Sequence, residues 1–310
     1  MRLKSKSSNI LTDICSNPAS YLLVLPALLY TLVFGYLTLP YILIAFQRFN
    51  YKTGILNSPW VGLRNFEFFF KSPKALVVTW NTIKLNFLFI IFGVIVALVF
   101  SLLLNEIRNK MITRVTQSTY LFPHFLSWVI VSYMVYSLFS YDYGVTNKLL
   151  VYLKAEPVNW YSKPEVWPVI LIIMRIWKGT GYQVVIFLAA ITGIDRELYS
   201  ASEIDGATRW MQVRYITIPL IMPTVCILTL LYMGKILYGD FAMFYSIIGD
   251  NGVLYPTTDV IDTYVFRALR KTGDPSQAMA VGLYQAVIGF ILVYGSNILA
   301  RKYFKEGALF

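Results

Sequence analysis

Long apolar runs separated by shorter polar intervals set the plan of this chain. Residues 20–46 (SYLLVLPALLYTLVFGYLTLPYILIAF) carry no charge and exceed the roughly twenty residues that a helix needs to cross a bilayer. Further runs of spanning length follow at 82–104, 118–139, 165–194, 219–248 and 277–300. The pattern predicts an all-α membrane protein with six transmembrane helices between an N-terminal tail (1–18) and a C-terminal tail (301–310). Pro26 and Pro40 bend the first helix, which membrane helices tolerate when neighbours satisfy the freed carbonyls. An even number of spans puts both termini on one side, and the basic residues nearest the membrane ends favour the cytoplasm for both. Trp60 and Phe66, in the aromatic interval 47–75, are placed to sit at the opposite interface.

The interval 195–218 is the polar stretch with helical signals at both ends. Asp195 is an N-cap with Glu197 in the first turn, and Pro219 and Pro223 open the next apolar run. Gly206 between Asp205 and Ala207 allows a sharp turn and close approach by a partner. Small or acidic residues precede it (Ser200, Ala201, Ser202, Glu203), and bulky or basic ones follow (Arg209, Trp210, Met211, Arg214, Tyr215). A short helix, a break and a second short helix are expected, forming a cytoplasmic hook. An ordinary surface loop joining two spans is the alternative.

Composition narrows the function classes. With 57% hydrophobic and 14% charged residues, the chain has the balance of a polytopic membrane protein. The net charge of +11 is spread over loops, with no basic stripe or reading motif, so it suits lipid headgroups and excludes nucleic acid as a partner. Cys15 and Cys226 are too far apart in sequence to imply a metal site or a disulfide framework. Arg2, Lys4 and Lys6 precede a polar stretch and then a run too long for a signal h-region, so no cleaved leader is expected. The sequence has no GxxxxGK[ST] phosphate loop, so this chain binds no ATP by that route and its energy must come from elsewhere.

Six stretches carry a family resemblance. LYSASEIDGA at 198–207, followed by ITIPL at 216–220, resembles the EAA loop of importer-type ABC transporter permeases. The spacing is kept, but Ser200 stands where the motif has Glu, Ser202 where it has its second Ala, and Ile218 where it has Leu. SPWVGLRNF at 58–66, LNEIR at 104–108, YLFPHFLSWV at 120–129 and DVIDTYV at 259–265 are similar to the LplB-like branch of carbohydrate permeases, so the likeness covers essentially the whole chain. It implies a type I ABC importer permease fold in a bacterial cell membrane. The implied partners are a second permease, two ATPase subunits that hold ATP and Mg, an extracytoplasmic solute-binding lipoprotein and a carbohydrate substrate. By that resemblance Ser200, Ala201, Ser202, Glu203, Asp205, Gly206 and Ala207 couple to the ATPases, with Arg209 and Arg214 as further contacts. Pairing with lipid phosphate is the other reading of the two arginines.

Ionisable groups inside apolar runs are costly and mark functional candidates. Arg175 and Lys178 lie three apart and share a face, with Trp177, Tyr182 and Gln183 close by. Lys235, Tyr238, Asp240, Phe244 and Tyr245 decorate the fifth run. For a sugar path this mix is suitable, because aromatic faces stack on pyranose rings while amides and charges bond hydroxyls. An ion pair of Asp240 with Lys178 or Lys235, or snorkelling of Arg175 or Lys178 to the interface, is the structural alternative. A surplus of positive charge here would suit an acidic glycan. His124 beside Pro123 reads as a capping or packing residue rather than a proton relay. Two other function classes stay open. An ion-driven transporter would need a coupling acid at the midplane, where only Asp240 qualifies, and a membrane glycan enzyme would need paired carboxylates. The nearest such pair, Asp259 and Asp262, reads as an outer-loop helix cap.

Overall fold

The computed structural model describes residues 16–303, which are helical apart from connecting segments and an isolated bridge between Gln47 and Trp60. The remainder of both expected tails, residues 1–15 and 304–310, lies outside the described residues. In chain order the main helices are α1 (Pro18–Thr31), α2 (Arg64–Phe70), α3 (Ala75–Asn105), α4 (Lys110–Leu121), α5 (Trp128–Phe139) and α6 (Trp167–Thr192). They continue with α7 (Arg196–Ile204), α8 (Ile218–Met233), α9 (Phe241–Ile248), α10 (Ile261–Thr272) and α11 (Pro275–Tyr303). Among the described residues, five helical stretches are long and apolar enough to cross a membrane: Pro18–Phe46, Ala75–Asn105, Pro164–Thr192, Arg209–Met233 and Pro275–Ile298. The pair α4–α5 supplies a sixth crossing when its two halves are taken together.

Three expected spans differ in detail. The second begins at Ala75 rather than 82, because its polar residues are absorbed: Asn81 Nδ2 donates to the carbonyls of Pro256 (3.1 Å) and Asp259 (3.2 Å). The third, expected as one helix over 118–139, is bent by 98°. Pro123 sits in a 3-10 turn at Phe122–Phe125, and Ser127 Oγ then accepts from the Ile130 N–H (3.3 Å) to cap a new helix. The fifth, expected over 219–248, is two helices, with α8 ending at Met233 and α9 starting after Asp240.

That last break is held from three sides. Asn86 Nδ2 of α3 donates to the carbonyls of Ile236 (2.8 Å) and Tyr238 (3.2 Å), and Gln285 Nε2 of α11 donates to that of Leu237 (2.8 Å). Asp262 Oδ2 of α10 accepts from the Gly239 N–H at 2.6 Å. Irregular backbone at membrane depth survives only where protein groups satisfy it, and here three side chains do so.

Partial burial pushes the Asp262 carboxyl above its usual range, against the pull of the Gly239 N–H. A carboxyl raised in the folded state costs stability as it ionises, so this contribution worsens as pH rises from the ordinary carboxylate range through the raised value. Asp262→Asn keeps an acceptor for Gly239 and removes the charge. Thermal unfolding in detergent should then show an unchanged or higher Tm at pH 7 and a flatter pH profile. Asp262→Leu leaves the N–H unpaired and should cost about 1–3 kcal/mol. Equal losses in both variants would show that the carboxylate itself, and not its acceptor role, holds the break.

Packing follows α3 and α6. Leu85 and Phe89 of α3, Val131 and Val135 of α5, Trp167 and Leu171 of α6, and Met243 and Phe244 of α9 form one buried cluster. Further along the same two helices, Ala97 and Leu104 pack against Val184, Phe187 and Leu188. Helices in lipid gain little from burying apolar surface and associate through close packing at small residues. Gly181 is such a point: a Cβ there would lie 1.9 Å from the Tyr120 carbonyl oxygen, so α4 can press onto α6 only over glycine. By contrast, no residue of α1 is buried against the rest of the chain.

Candidate functional site: a charged cavity and a clasped hook

Where α6, α3, the α4–α5 bend and the α8–α9 break meet, they enclose a cavity of about 340 Å³. Asp240 organises it. Its Oδ2 accepts from Arg175 Nη1 (2.6 Å) and from Trp128 Nε1 (2.8 Å), while Oδ1 accepts from the Met243 N–H (3.2 Å) and caps α9. One carboxylate therefore ties together the middle of α6, the start of α5 and the start of α9. Lys178 Nζ donates to the His124 carbonyl (3.0 Å) and lies 5.1 Å from the centre of the Trp128 ring, within cation–π range. The His124 ring stacks on Tyr182, with centroids 5.4 Å apart. Gln183 Oε1 and Thr180 Oγ1 also line the cavity and are buried without a hydrogen-bond partner. Unmet polar groups beside aromatic faces and cations equip the cavity to hold a polyhydroxylated ligand.

Of the expected path residues, Arg175, Lys178, Tyr182, Gln183 and Asp240 are brought together here. The others are not. Trp177 is 39% exposed and does not line the cavity, and Lys235 and Tyr238 are exposed in the break. Phe244 is a core residue, 1% exposed, and Tyr245 stacks on Phe241 (5.2 Å) with Arg270 donating to its hydroxyl (3.2 Å). The reason is the break: α9 starts a new direction at Asp240, so only its cap reaches the cavity and its body packs into the core. The ion pair weighed as the structural alternative, Asp240 with Lys178 or Lys235, is made with Arg175 instead. Asp259 and Asp262 are not a catalytic pair either, since Asp259 is bound by Arg267 and Thr263 while Asp262 holds Gly239. Trp128, Thr180 and Tyr232 join the path residues in the cavity: Trp128 lies in the motif at 120–129 and Thr180 between Lys178 and Tyr182, whereas Tyr232 sits in an ordinary apolar run. Among the described residues, no three His, Cys, Asp or Glu side chains converge as a metal site.

The interval 195–218 folds as a hook. Asp195 caps α7 by accepting from the Glu197 N–H (3.0 Å). The helix closes at Gly206, whose φ of 76° is left-handed, with the Ala207 N–H returning to the Ser202 carbonyl (2.9 Å). Thr208 then caps Arg209–Gln212, which runs through a π turn at Val213–Thr217 straight into α8. The second limb is thus the first part of the Arg209–Met233 span, not a separate short helix.

Gln212, 3% exposed, clasps the limbs together. Its Nε2 lies within hydrogen-bond distance of the Tyr199 carbonyl (3.3 Å), Ser202 Oγ (3.0 Å) and Glu203 Oε1 (3.4 Å), and its Oε1 accepts from Arg209 Nη1 (3.2 Å). Arg209 also pairs with Glu203 (3.4 Å), and the Tyr199 hydroxyl meets Thr217 Oγ1 (2.9 Å). Ser200 lines a groove shared with Asn105 and Glu106 at the end of α3. Ala201, Asp205 and Gly206 are exposed, Ala207 is half-buried, and Arg214 lies over the Tyr215 ring. Ile204 (88% exposed), Trp210 and Tyr215 add an uncovered apolar face to this end of the molecule, the kind that marks a docking surface.

Comparison with known proteins decides the class. The pattern of the binding-protein-dependent transport system inner membrane component family matches residues 89–305, more than half of the chain. The chain belongs to this family. It is therefore an inner-membrane permease subunit of an ABC importer, a transport component rather than an enzyme, with ATP hydrolysis on separate subunits. Neither the ion-driven transporter nor the membrane glycan enzyme survives this assignment. Among the permease's relatives is Protein LplB of Bacillus subtilis (strain 168), 37% identical over 93% of this chain and 90% of the relative. The polygalacturonan/rhamnogalacturonan transport system permease protein YteP of the same organism is 36% identical over 98% of this chain and 94% of its own length. Among solved structures, the permease is similar to a chain of a bacterial ABC transporter involved in the import of the acidic polysaccharide alginate. That match has a TM-score of 0.86 and 30% identity and covers 96% of this chain and 100% of that one.

Proposed function

We propose that this permease carries an oligosaccharide or polysaccharide fragment, delivered by an extracytoplasmic solute-binding protein, through the Arg175–Asp240 cavity into the cytoplasm. It acts beside a second, related permease, and two ATPase subunits that bind ATP and Mg drive it through the hook. In this reading the hook and both termini face the cytoplasm, and the six-helix domain runs from about residue 19 to 300. Ser200, Ala201, Ser202, Glu203, Asp205, Gly206 and Ala207 form the coupling face with Arg209, and Arg214 lies at its edge. The carbohydrate assignment draws on the relatives above, whose names refer to polygalacturonan, rhamnogalacturonan and alginate.

The observation that carries the proposal is continuity. The second limb of the hook runs without interruption into α8, α8 ends at the break, and the break ends on Asp240. A displacement of the hook has a helical rod to act through, and the rod ends at the cavity. Two cations, Arg175 and Lys178, face one carboxylate there, a surplus that suits acidic sugars.

Gly206→Val tests the coupling half. A Cβ at residue 206 would meet open space, so crowding is not the problem. The left-handed backbone is, at about 1–2 kcal/mol for a non-glycine residue, which distorts the turn between the limbs. Oligosaccharide uptake by cells carrying the variant should be lost, while the assembled complex keeps its ATPases and hydrolyses ATP. Wild-type uptake in this variant would remove the coupling role, and failure of the wild-type chain to restore uptake of any oligosaccharide in a deletion strain would remove the transport reading.

A further inference from the structure

A second and larger cavity, about 570 Å³, opens at the other end of α3 from the hook. The hook groove touches Asn105 and Glu106 at the end of this 31-residue helix, whereas the second cavity includes Ser72, just before its start. A helix of that length places the two about 46 Å apart. The cavity lies between the segment after the first span and the head of α11.

Its walls are a built scaffold. Asn65 Nδ2, on a 9% exposed residue, donates to the carbonyls of Ala45 (2.9 Å) and Gln47 (2.8 Å) and fastens α2 to the end of the first span. The Arg48 N–H donates to the Pro59 carbonyl (2.9 Å), and the Phe49 N–H donates to Ser276 Oγ (3.0 Å), which docks the segment on α11. Arg48 and Arg64 thereby both line one cavity.

The polar groups in it are unequally satisfied. Glu67 is taken by Lys71 (2.7 Å), and Asp274 Oδ1 accepts from the Ser276 N–H (2.8 Å). Neither the Arg48 nor the Arg64 guanidinium makes a hydrogen bond or ion pair with any described residue, and Arg64 acts on the Glu67 carboxylate only at longer range, behind Lys71. Gln277 Oε1, on the α11 side, is buried and has no hydrogen-bond donor. Two guanidinium forks call for a carboxylate or phosphate, which they bind in bidentate fashion. An unmet amide oxygen calls for a neutral donor such as a hydroxyl. A uronic acid residue presents both groups on one ring.

We infer that this cavity is a vestibule subsite for a carboxylated sugar, with Arg48 and Arg64 taking the carboxylate and Gln277 taking a ring hydroxyl. This rests on the carbohydrate import reading and narrows it to acidic glycans. The subsite would hold the leading residue of the chain before it descends to the Arg175–Asp240 cavity.

The test uses the transporter assembled with its partner subunits in phosphatidylcholine nanodiscs, without nucleotide. Its probes are trigalacturonate and its fully methyl-esterified counterpart, which keeps the sugar rings and hydroxyls but carries no charge. With Arg48→Gln/Arg64→Gln, the Kd for trigalacturonate should rise about tenfold or more, the scale of a lost charge-assisted hydrogen bond, while that for the ester stays put. Both side chains are exposed, so the variant should keep the wild-type Tm. Gln277→Leu should weaken both probes. Unchanged acid binding in the double variant overturns the subsite, as does equal weakening of both probes by it. In discs doped with phosphatidylglycerol, acid binding should persist; if the anionic lipid displaces the acid from wild type, the cavity is a lipid headgroup site and the proposal fails. A wild-type transporter that binds neither probe and imports no oligosaccharide sinks the carbohydrate reading along with it. One that imports sugars while the double variant binds acid normally sinks the subsite alone.

Discussion

Gln212→Leu should abolish productive transport while leaving the ATPases attached and active. Leucine is close in volume but offers no hydrogen bonds, so the Tyr199 carbonyl, Ser202 Oγ and Arg209 each lose a partner inside the hook. Ser202 Oγ and the Tyr199 carbonyl still bond each other and Arg209 still has Glu203, so each lost bond is worth about 0.5–1.5 kcal/mol, and together they loosen the hold of one limb on the other. A load applied to α7 then deforms the hook instead of moving α8. The informative quantity is the ratio of sugar molecules imported to ATP hydrolysed, measured in proteoliposomes. It should fall roughly tenfold or more, on the scale set by those lost contacts, while basal hydrolysis and co-purification of the ATPases stay near wild type. Gln212→Glu should not rescue, because a carboxylate there cannot donate to Tyr199 and would face Glu203. An unchanged ratio in the leucine variant would show that the clasp is only structural. Rigidity between the limbs is supplied by Gln212 and the Glu203–Arg209 pair.

Much of this architecture was legible in the sequence wherever the cause is local. Uncharged length identifies spans, and Asp195, Gly206 and Pro219 each punctuate the hook through their own backbone chemistry. The bend between α4 and α5 also has its signals, Pro123 and the capping Ser127, but the apolar run continues across them and by itself predicts one helix. What could not be read was the break at residues 234–240. Its supports, Asn86, Asp262 and Gln285, come from three distant segments, and each looks like an isolated polar residue until the fold brings it to the same stretch of backbone. A continuous helix would put Phe244, four residues on, on the face of Asp240; the break turns it into the core instead. A polar side chain inside an apolar run is costly unless it has an assigned partner. Applied to Asn86 and Gln285, that reasoning would have flagged both as holding something.

Asp240→Ala should have the largest effect on the cavity, because one carboxylate serves three elements. Its loss removes the cap of α9, worth about 1 kcal/mol, and the acceptor for Trp128. It also leaves Arg175 charged and unpaired. Breaking a fully buried pair costs about 3–5 kcal/mol, and this one lies below that range because water reaches both partners. A lower Tm and nearly complete loss of uptake are expected. Asp240→Asn keeps one acceptor oxygen, enough for the cap, but sets its amide nitrogen against Trp128 and Arg175, so its Tm should lie between those of alanine and wild type with transport still impaired. The decisive variant is Arg175→Met/Asp240→Leu, since replacing both members of an ion pair with apolar groups of similar size is often neutral for stability. If the pair merely joins α6 to α9, this variant recovers uptake and regains Tm relative to Asp240→Ala, short of wild type by the lost cap and Trp128 acceptor. If the pair belongs to the sugar path, Tm regains the same amount and uptake does not, because a permeating glycan meets a cavity without its guanidinium and carboxylate. The second outcome is expected, since the cavity these groups line still holds two buried polar atoms, on Thr180 and Gln183, that the protein itself leaves unsatisfied.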